Sequence, residues 1–177
     1  MKTRLLLWLP LAVFAILGML FLRPLLSPPQ RDIPSALIGQ SVPEFALAPG
    51  IEGRPGLASA DLRRGRAQLV NVFASWCLPC RVEAPQLAEL SRRGVPIVGL
   101  AVRDRPEDLA RFLAAYGNPF RAIGADTDRQ VQLALGSAGV PETFVVDGRG
   151  IIRHQHIGAI TDADLPEIVA AYREAAR

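Results

Sequence analysis

Ala67-Gln68-Leu69-Val70-Asn71-Val72-Phe73-Ala74-Ser75-Trp76-Cys77-Leu78-Pro79-Cys80-Arg81-Val82-Glu83 is the stretch on which the fold turns. Its first eight residues are apolar apart from Gln68 and Asn71, the composition of a strand covered on both faces. The strand runs straight into C-x-x-C. Beyond Cys80, Val82, Leu87 and Leu90 recur at roughly helical spacing, which predicts a helix over 81–93 ended by Gly94 and kinked at Pro85. A cysteine pair at such a junction is placed for thiolate chemistry, because free backbone N–H groups and the helix dipole favour a negative sulfur. Cys77 reads as the exposed nucleophile and Cys80, one turn further in, as the thiol that resolves its mixed disulfide.

These are the chain's two cysteines, too close in sequence to cross-link distant parts of a fold, so their value is chemical. Outward from the motif the segments alternate as βαβ units do. A buried strand is expected over 96–102 and a helix over 106–116, closed by Gly117. Between 118 and 140 the pattern is weak, with a short strand near Ala122 and a short helix over 128–135. An antiparallel hairpin is expected from 142–146 and 151–157, joined by Asp147-Gly148-Arg149-Gly150. A helix over 161–176 closes the chain, with Thr161 as its N-cap and Asp162 and Asp164 in its first turn.

The N-terminus has a different character. Leu5 to Leu22 is an unbroken apolar run, preceded by Lys2 and Arg4 and closed by Arg23, long enough to cross a bilayer core. No small-residue cleavage site follows it, which favours a retained anchor over a cleaved signal peptide. The prolines at 24, 28, 29 and 34 make the next stretch a stiff spacer. The expected organisation is an anchor over 1–22, a Pro-rich linker over 23–36 and one α/β domain over 37–177. Of the 20 basic residues, Lys2, Arg4, Arg23 and Arg31 precede the first acidic one, Asp32, so the remaining 16 face 17 acidic residues. A near-neutral domain argues against nucleic acid as a partner.

The tryptophan-flanked C-x-x-C, the glutamate three residues after Cys80, and Gly139-Val140-Pro141-Glu142-Thr143-Phe144 together resemble the thioredoxin-like superfamily. Within it, the chain is most similar to the membrane-anchored DsbE/CcmG proteins of cytochrome c maturation, over about residues 37–177. The resemblance implies a thioredoxin-like fold, a central mixed sheet flanked by helices behind a transmembrane anchor, held in a bacterial inner membrane with the domain facing the periplasm. It implies a cis peptide bond between Val140 and Pro141, with Pro141 facing the dithiol, and a site made of Cys77, Cys80, Glu83 and Pro141 supported by Trp76, Pro79, Val140 and Glu142. General thioredoxins carry a buried Asp where this chain has Asn71, so the buried carboxylate's role passes to Glu83. Glu142 is expected to add negative charge near the dithiol.

The reaction so implied reduces the disulfide of apocytochrome c, or of a maturation partner, before haem attachment. No cofactor is expected beyond the dithiol itself, and re-reduction falls to a DsbD/CcdA-type membrane electron donor. Two other readings stay open. One is a general thioredoxin-like reductase or oxidase. The other is a copper-handling protein using both cysteines and a histidine, against which the two-residue spacing counts. His154 and His156 share one face of their strand and are read as polar residues on its solvent side, with no metal site assigned.

Overall fold

The computed structural model describes Trp8, Pro10, Val13, Phe14 and residues 16–22 and 36–177. The chain divides after Asp32. Described residues of the first unit are helical and exposed, and among the described residues no helix is long and apolar enough to cross a membrane. The start of the expected anchor and nearly all of the expected linker lie outside the described residues.

The second unit is built on a five-stranded sheet. Its elements are β1 (Ala46–Leu47), β2 (Leu57–Ala58), β3 (Gln68–Phe73), α1 (Leu78–Arg92), β4 (Ile97–Val102), α2 (Pro106–Tyr116), β5 (Ile123–Asp126), α3 (Gln130–Ala134), β6 (Glu142–Val146), β7 (Ile152–Ile157) and α4 (Leu165–Ala175). The order across the sheet is β5-β4-β3-β6-β7. Strands β3, β4 and β5 run parallel, while β6 is antiparallel to both β3 and β7. β3 is therefore central, and its alternating side chains feed two cores. Leu69 and Phe73 pack with both cysteines, Leu87 and Leu90 of α1, Phe112 of α2 and Ile168 of α4. Val70 and Val72 face the other way, toward Leu57, Leu62, Val131, Phe144 and Ile152.

Two expectations need correction. α1 begins at Leu78, three residues earlier than its apolar spacing indicated, because Cys77 caps it and Pro79 needs no N–H partner in a first turn; the helix also runs on through Pro85. α4 begins at Leu165, and Thr161 is not its N-cap. Instead Thr161 donates from N and Oγ1 to the carboxylate of Asp164, at 2.8 and 2.6 Å, and that turn delays the helix. The β1–β2 ladder and the 3-10 turn over Ser59–Arg63 had no clear signature, being two residues per strand and held by long-range contacts.

Packing against the motif strand is tight. A side chain at Gly99 would put its Cβ 2.8 Å from Phe73 Cε1 and 3.2 Å from the Phe120 ring, which stacks on Phe73 at 4.6 Å. Gly99→Ala is thus expected to destabilise the domain by about 1–3 kcal/mol, read by urea unfolding. Unchanged stability would show that the ring stack yields freely.

Candidate active site

Cys77 and Cys80 form a disulfide at the N-terminus of α1, with Cα atoms 5.3 Å apart. Cys77 is the N-cap residue, and its Sγ accepts the Cys80 N–H at 3.1 Å. That capping bond puts the first sulfur where backbone donors stabilise a thiolate. Neither cysteine is well exposed: Cys77 is 4% and Cys80 2% accessible, so the expected exposed first thiol is corrected to one only slightly more open than the second. Both cysteines belong to the buried cluster that includes Phe73 and Leu87, while Trp76 and Leu78 beside them stand 56% and 68% exposed. Pro79 occupies the exposed first turn of α1.

The loop before Cys77 is tied to the end of β4. Ser75 donates from both N and Oγ to the Asp104 carboxylate at 2.6 Å, and Trp76 Nε1 donates to the Arg103 carbonyl at 3.3 Å. Arg103 has φ of +48°, a left-handed conformation that costs a non-glycine residue free energy and that clusters at functional sites. Arg81 donates to the Ser75 carbonyl at 3.2 Å and lies 6.0 Å from the Tyr116 ring centroid. Asp104→Ala removes two acceptors at once. The expected result is a loss of about 1–3 kcal/mol in stability and a severalfold slower reaction with a peptide disulfide, read by unfolding and by turnover. Turnover equal to wild type would show that Trp76 needs no such brace.

Behind the dithiol lies Glu83, fully buried on α1 three residues beyond Cys80. Its Oε1 accepts from Asn71 Nδ2 and its Oε2 from the Ile160 N–H, each at 3.0 Å. Asn71 Nδ2 also donates to Thr143 Oγ1 at 3.0 Å. Burial pushes the Glu83 carboxyl up from its ordinary 4.5 to about 7, against the pull of the Ile160 and Asn71 hydrogen bonds. A group so tuned exchanges protons near neutral pH. Cys80, Glu83 and Asn71 line one small cavity of about 10 Å³.

The Val140–Pro141 peptide bond is cis, and Val140 packs against the core that holds both cysteines. Glu142 differs from expectation. It is paired with Val72, on the sheet face opposite Asn71, and its Oε1 accepts from the N–H groups of Ala138 and Gly139 while Oε2 accepts from Gln155 Nε2. Its charge braces the loop leading to Pro141 rather than lining the dithiol. The histidines are corrected as well. Their partners across the ladder are Val145 and Thr143, so both rings lie on the helix-covered face, His154 near Glu167 and His156 near Asp164 at 3.8 and 3.9 Å. Burial lowers the His154 pKa, assisted by His156 and opposed by Glu167. Among the described residues no three His, Cys, Asp or Glu side chains converge as metal ligands.

Sequence reading missed Asp104, Thr143 and the Ile160 amide. Asp104 carried a usable signal, since a parallel neighbour of β3 must end beside the motif. Thr143 reaches Asn71 only through the β3–β6 register, and Ile160 contributes a backbone group that no side-chain pattern announces.

A redox-active C-x-x-C capping a helix beside a central parallel strand, on a mixed sheet with helices on its faces, defines a thiol:disulfide interchange enzyme of thioredoxin-like fold. The Redoxin family profile matches residues 37–172, and the chain belongs to that family. It is 39% identical to the thiol:disulfide interchange protein DsbE of Pseudomonas fluorescens biotype C, over 94% of this chain and 92% of the relative. It is 44% identical to the thiol:disulfide interchange protein HelX of Rhodobacter capsulatus, over 73% of each. A crystal structure of a thiol:disulfide interchange protein of the thioredoxin family from Chlorobium tepidum superposes with a TM-score of 0.61 at 26% identity, covering 82% of this chain and 99% of that one.

Proposed function

We propose that the protein is a membrane-anchored, periplasmic reductant that opens the disulfide of apocytochrome c, or of a maturation partner, before haem attachment. The observation that carries this reading is the 39% identity to DsbE, which spans 94% of this chain and so takes in part of the apolar N-terminal run. The run with Lys2, Arg4 and the amino terminus before it, set against Arg23 and Arg31 after it, supports an anchor whose short N-terminal side stays cytoplasmic and whose domain lies outside. Cys77 attacks the client disulfide and Cys80 resolves the adduct. Glu83 takes the proton that Cys80 must lose, and Pro141 with Val140 borders the dithiol where the client strand lies. A DsbD/CcdA-type donor returns the electrons.

The deciding experiment traps the redox state of Cys77 and Cys80 in growing cells by thiol alkylation. A mostly reduced pair, turning oxidised when the membrane electron donor is deleted, is the expected result. A mostly oxidised pair in the untreated cell would make the protein an oxidase and overturn the proposal.

A further inference from the structure

The hydrogen bonds around Glu83 suit only one of its two charge states. Asn71 Nδ2 and the Ile160 N–H are both donors, so the ionised carboxylate is satisfied, while a proton on either oxygen has no acceptor to point at. Yet this carboxyl titrates near neutrality and needs a partner in both states. An acceptor stands beside it unused: Asn71 Oδ1 is buried with no hydrogen-bond partner. Such an atom calls for an explanation, and it is the one of the four like it among the described residues, with Gln86 Oε1 and Nε2 of His154 and His156, whose own amide already bonds Glu83. Thr143 Oγ1, now accepting from the same amide, is a hydroxyl and donates as readily as it accepts. The terminal torsion of Asn is broad and roughly two-fold, so half a turn exchanges its nitrogen and oxygen in place.

We propose that Asn71 and Thr143 are positioning residues for the proton step of disulfide exchange, reversing their hydrogen bonds as Glu83 gains or loses its proton. With Glu83 ionised, Nδ2 donates to the carboxylate and to Thr143 Oγ1. With Glu83 protonated, the turned amide presents Oδ1, which accepts from the carboxyl and from the Thr143 hydroxyl. The buried acid is thereby held in both states.

This inference rests on Glu83 being the proton acceptor. In the step it serves, the Cys80 S–H gives its proton to Glu83, and the thiolate attacks Cys77 Sγ of the mixed disulfide. The Cys77–Cys80 bond forms, the bond from Cys77 to the client breaks, and the client sulfur leaves as a thiolate that takes a proton from water. Cys80 is oxidised and the client sulfur reduced. The titratable groups nearest this network from other elements are His156 of β7, paired across the ladder with Thr143 on the same face, and Asp164, 3.9 Å from His156. The cavity it shares is walled by Phe73 of β3, Phe112 of α2 and Phe120, with Cys80 the one other titratable group. Thr143 faces it from β6 and the Ile160 N–H from the segment before α4.

The test is nuclear magnetic resonance of the full chain in detergent, oxidised, across the titration of Glu83. Scalar coupling through the hydrogen bond from Asn71 Nδ2 to Glu83 Cδ is expected above the midpoint and lost below it. Coupling that persists once Glu83 is protonated overturns the inference. A kinetic arm follows decay of the Cys77 mixed disulfide against pH. Thr143→Val is expected to slow it about tenfold, Thr143→Ser to restore it, and Thr143→Val to add nothing in a Glu83→Gln background. A Thr143→Val profile that superimposes on wild type overturns the inference, and the coupling measurement on unaltered protein decides if that variant does not fold. An unchanged profile in Glu83→Gln alone would instead sink the role given to Glu83, and this inference with it.

Discussion

Cys80→Ser is expected to abolish turnover and to accumulate a covalent adduct between Cys77 and the client, because the attacking sulfur survives while the resolving one is gone. The structure sharpens the reason. Cys77 caps α1 and receives the Cys80 N–H, so a serine at position 80 keeps that backbone donor and leaves the first thiolate stabilised. Cys77→Ala should yield no adduct, since Cys80 lies inside the helix and only 2% accessible. The measurement is non-reducing electrophoresis of both variants from cells, followed by mass spectrometry of the trapped partner. The proposed function adds an expectation of its own, that the partner contains a pair of closely spaced cysteines. Equal adduct from the two variants would overturn the order of attack, which matters because the accessibilities of 4% and 2% separate the sulfurs so weakly.

What sequence could reveal here divides along a physical line. The strand over 68–73 and the helix behind it were legible because local periodicity and the cysteine pair agree with the tertiary role, Leu87 and Leu90 facing the core as their spacing predicts while Val82, read as part of the same stripe, stands exposed. Glu83 could be placed near Cys80 from helical spacing alone. What spacing could not provide was the company each group keeps. Glu142 follows Pro141 directly in sequence and yet turns to the far face of the sheet, since neighbours on a strand point opposite ways. The two histidines were assigned to solvent because a polar pair on a last strand usually faces it, and α4 covers that face instead. The start of α4 was misplaced by one turn, Thr161 and Asp164 making a local side-chain bond that competes with the helix.

Glu83→Gln is expected to slow resolution of the mixed disulfide by about a hundredfold and, unlike most changes at a buried polar site, to stabilise the oxidised protein at alkaline pH. The kinetic part follows from losing a base placed one turn beyond Cys80; the nearby thiols should also titrate lower, because a negative charge has gone. The stability part follows from linkage. An acid raised from 4.5 to about 7 binds its proton more tightly in the native than in the unfolded chain. Its contribution is therefore fully present below about 4.5, declines as pH rises through the window to about 7, and is gone above it. At about 1.4 kcal/mol per pH unit, wild type loses about 3 kcal/mol across that window which the glutamine variant does not lose. Glutamine also fits the surroundings once the Asn71 amide turns, its oxygen accepting from Ile160 and its own amide donating to Asn71 Oδ1 in place of the bond that Asn71 Nδ2 gives to Glu83. Urea unfolding of both proteins at pH 5 and pH 8 isolates the effect, since other titrating groups cancel in the difference between them. That difference should move toward the variant as pH rises, and a difference constant from pH 5 to pH 8 would mean that Glu83 keeps an ordinary acidity and that the proton for Cys80 is handled elsewhere.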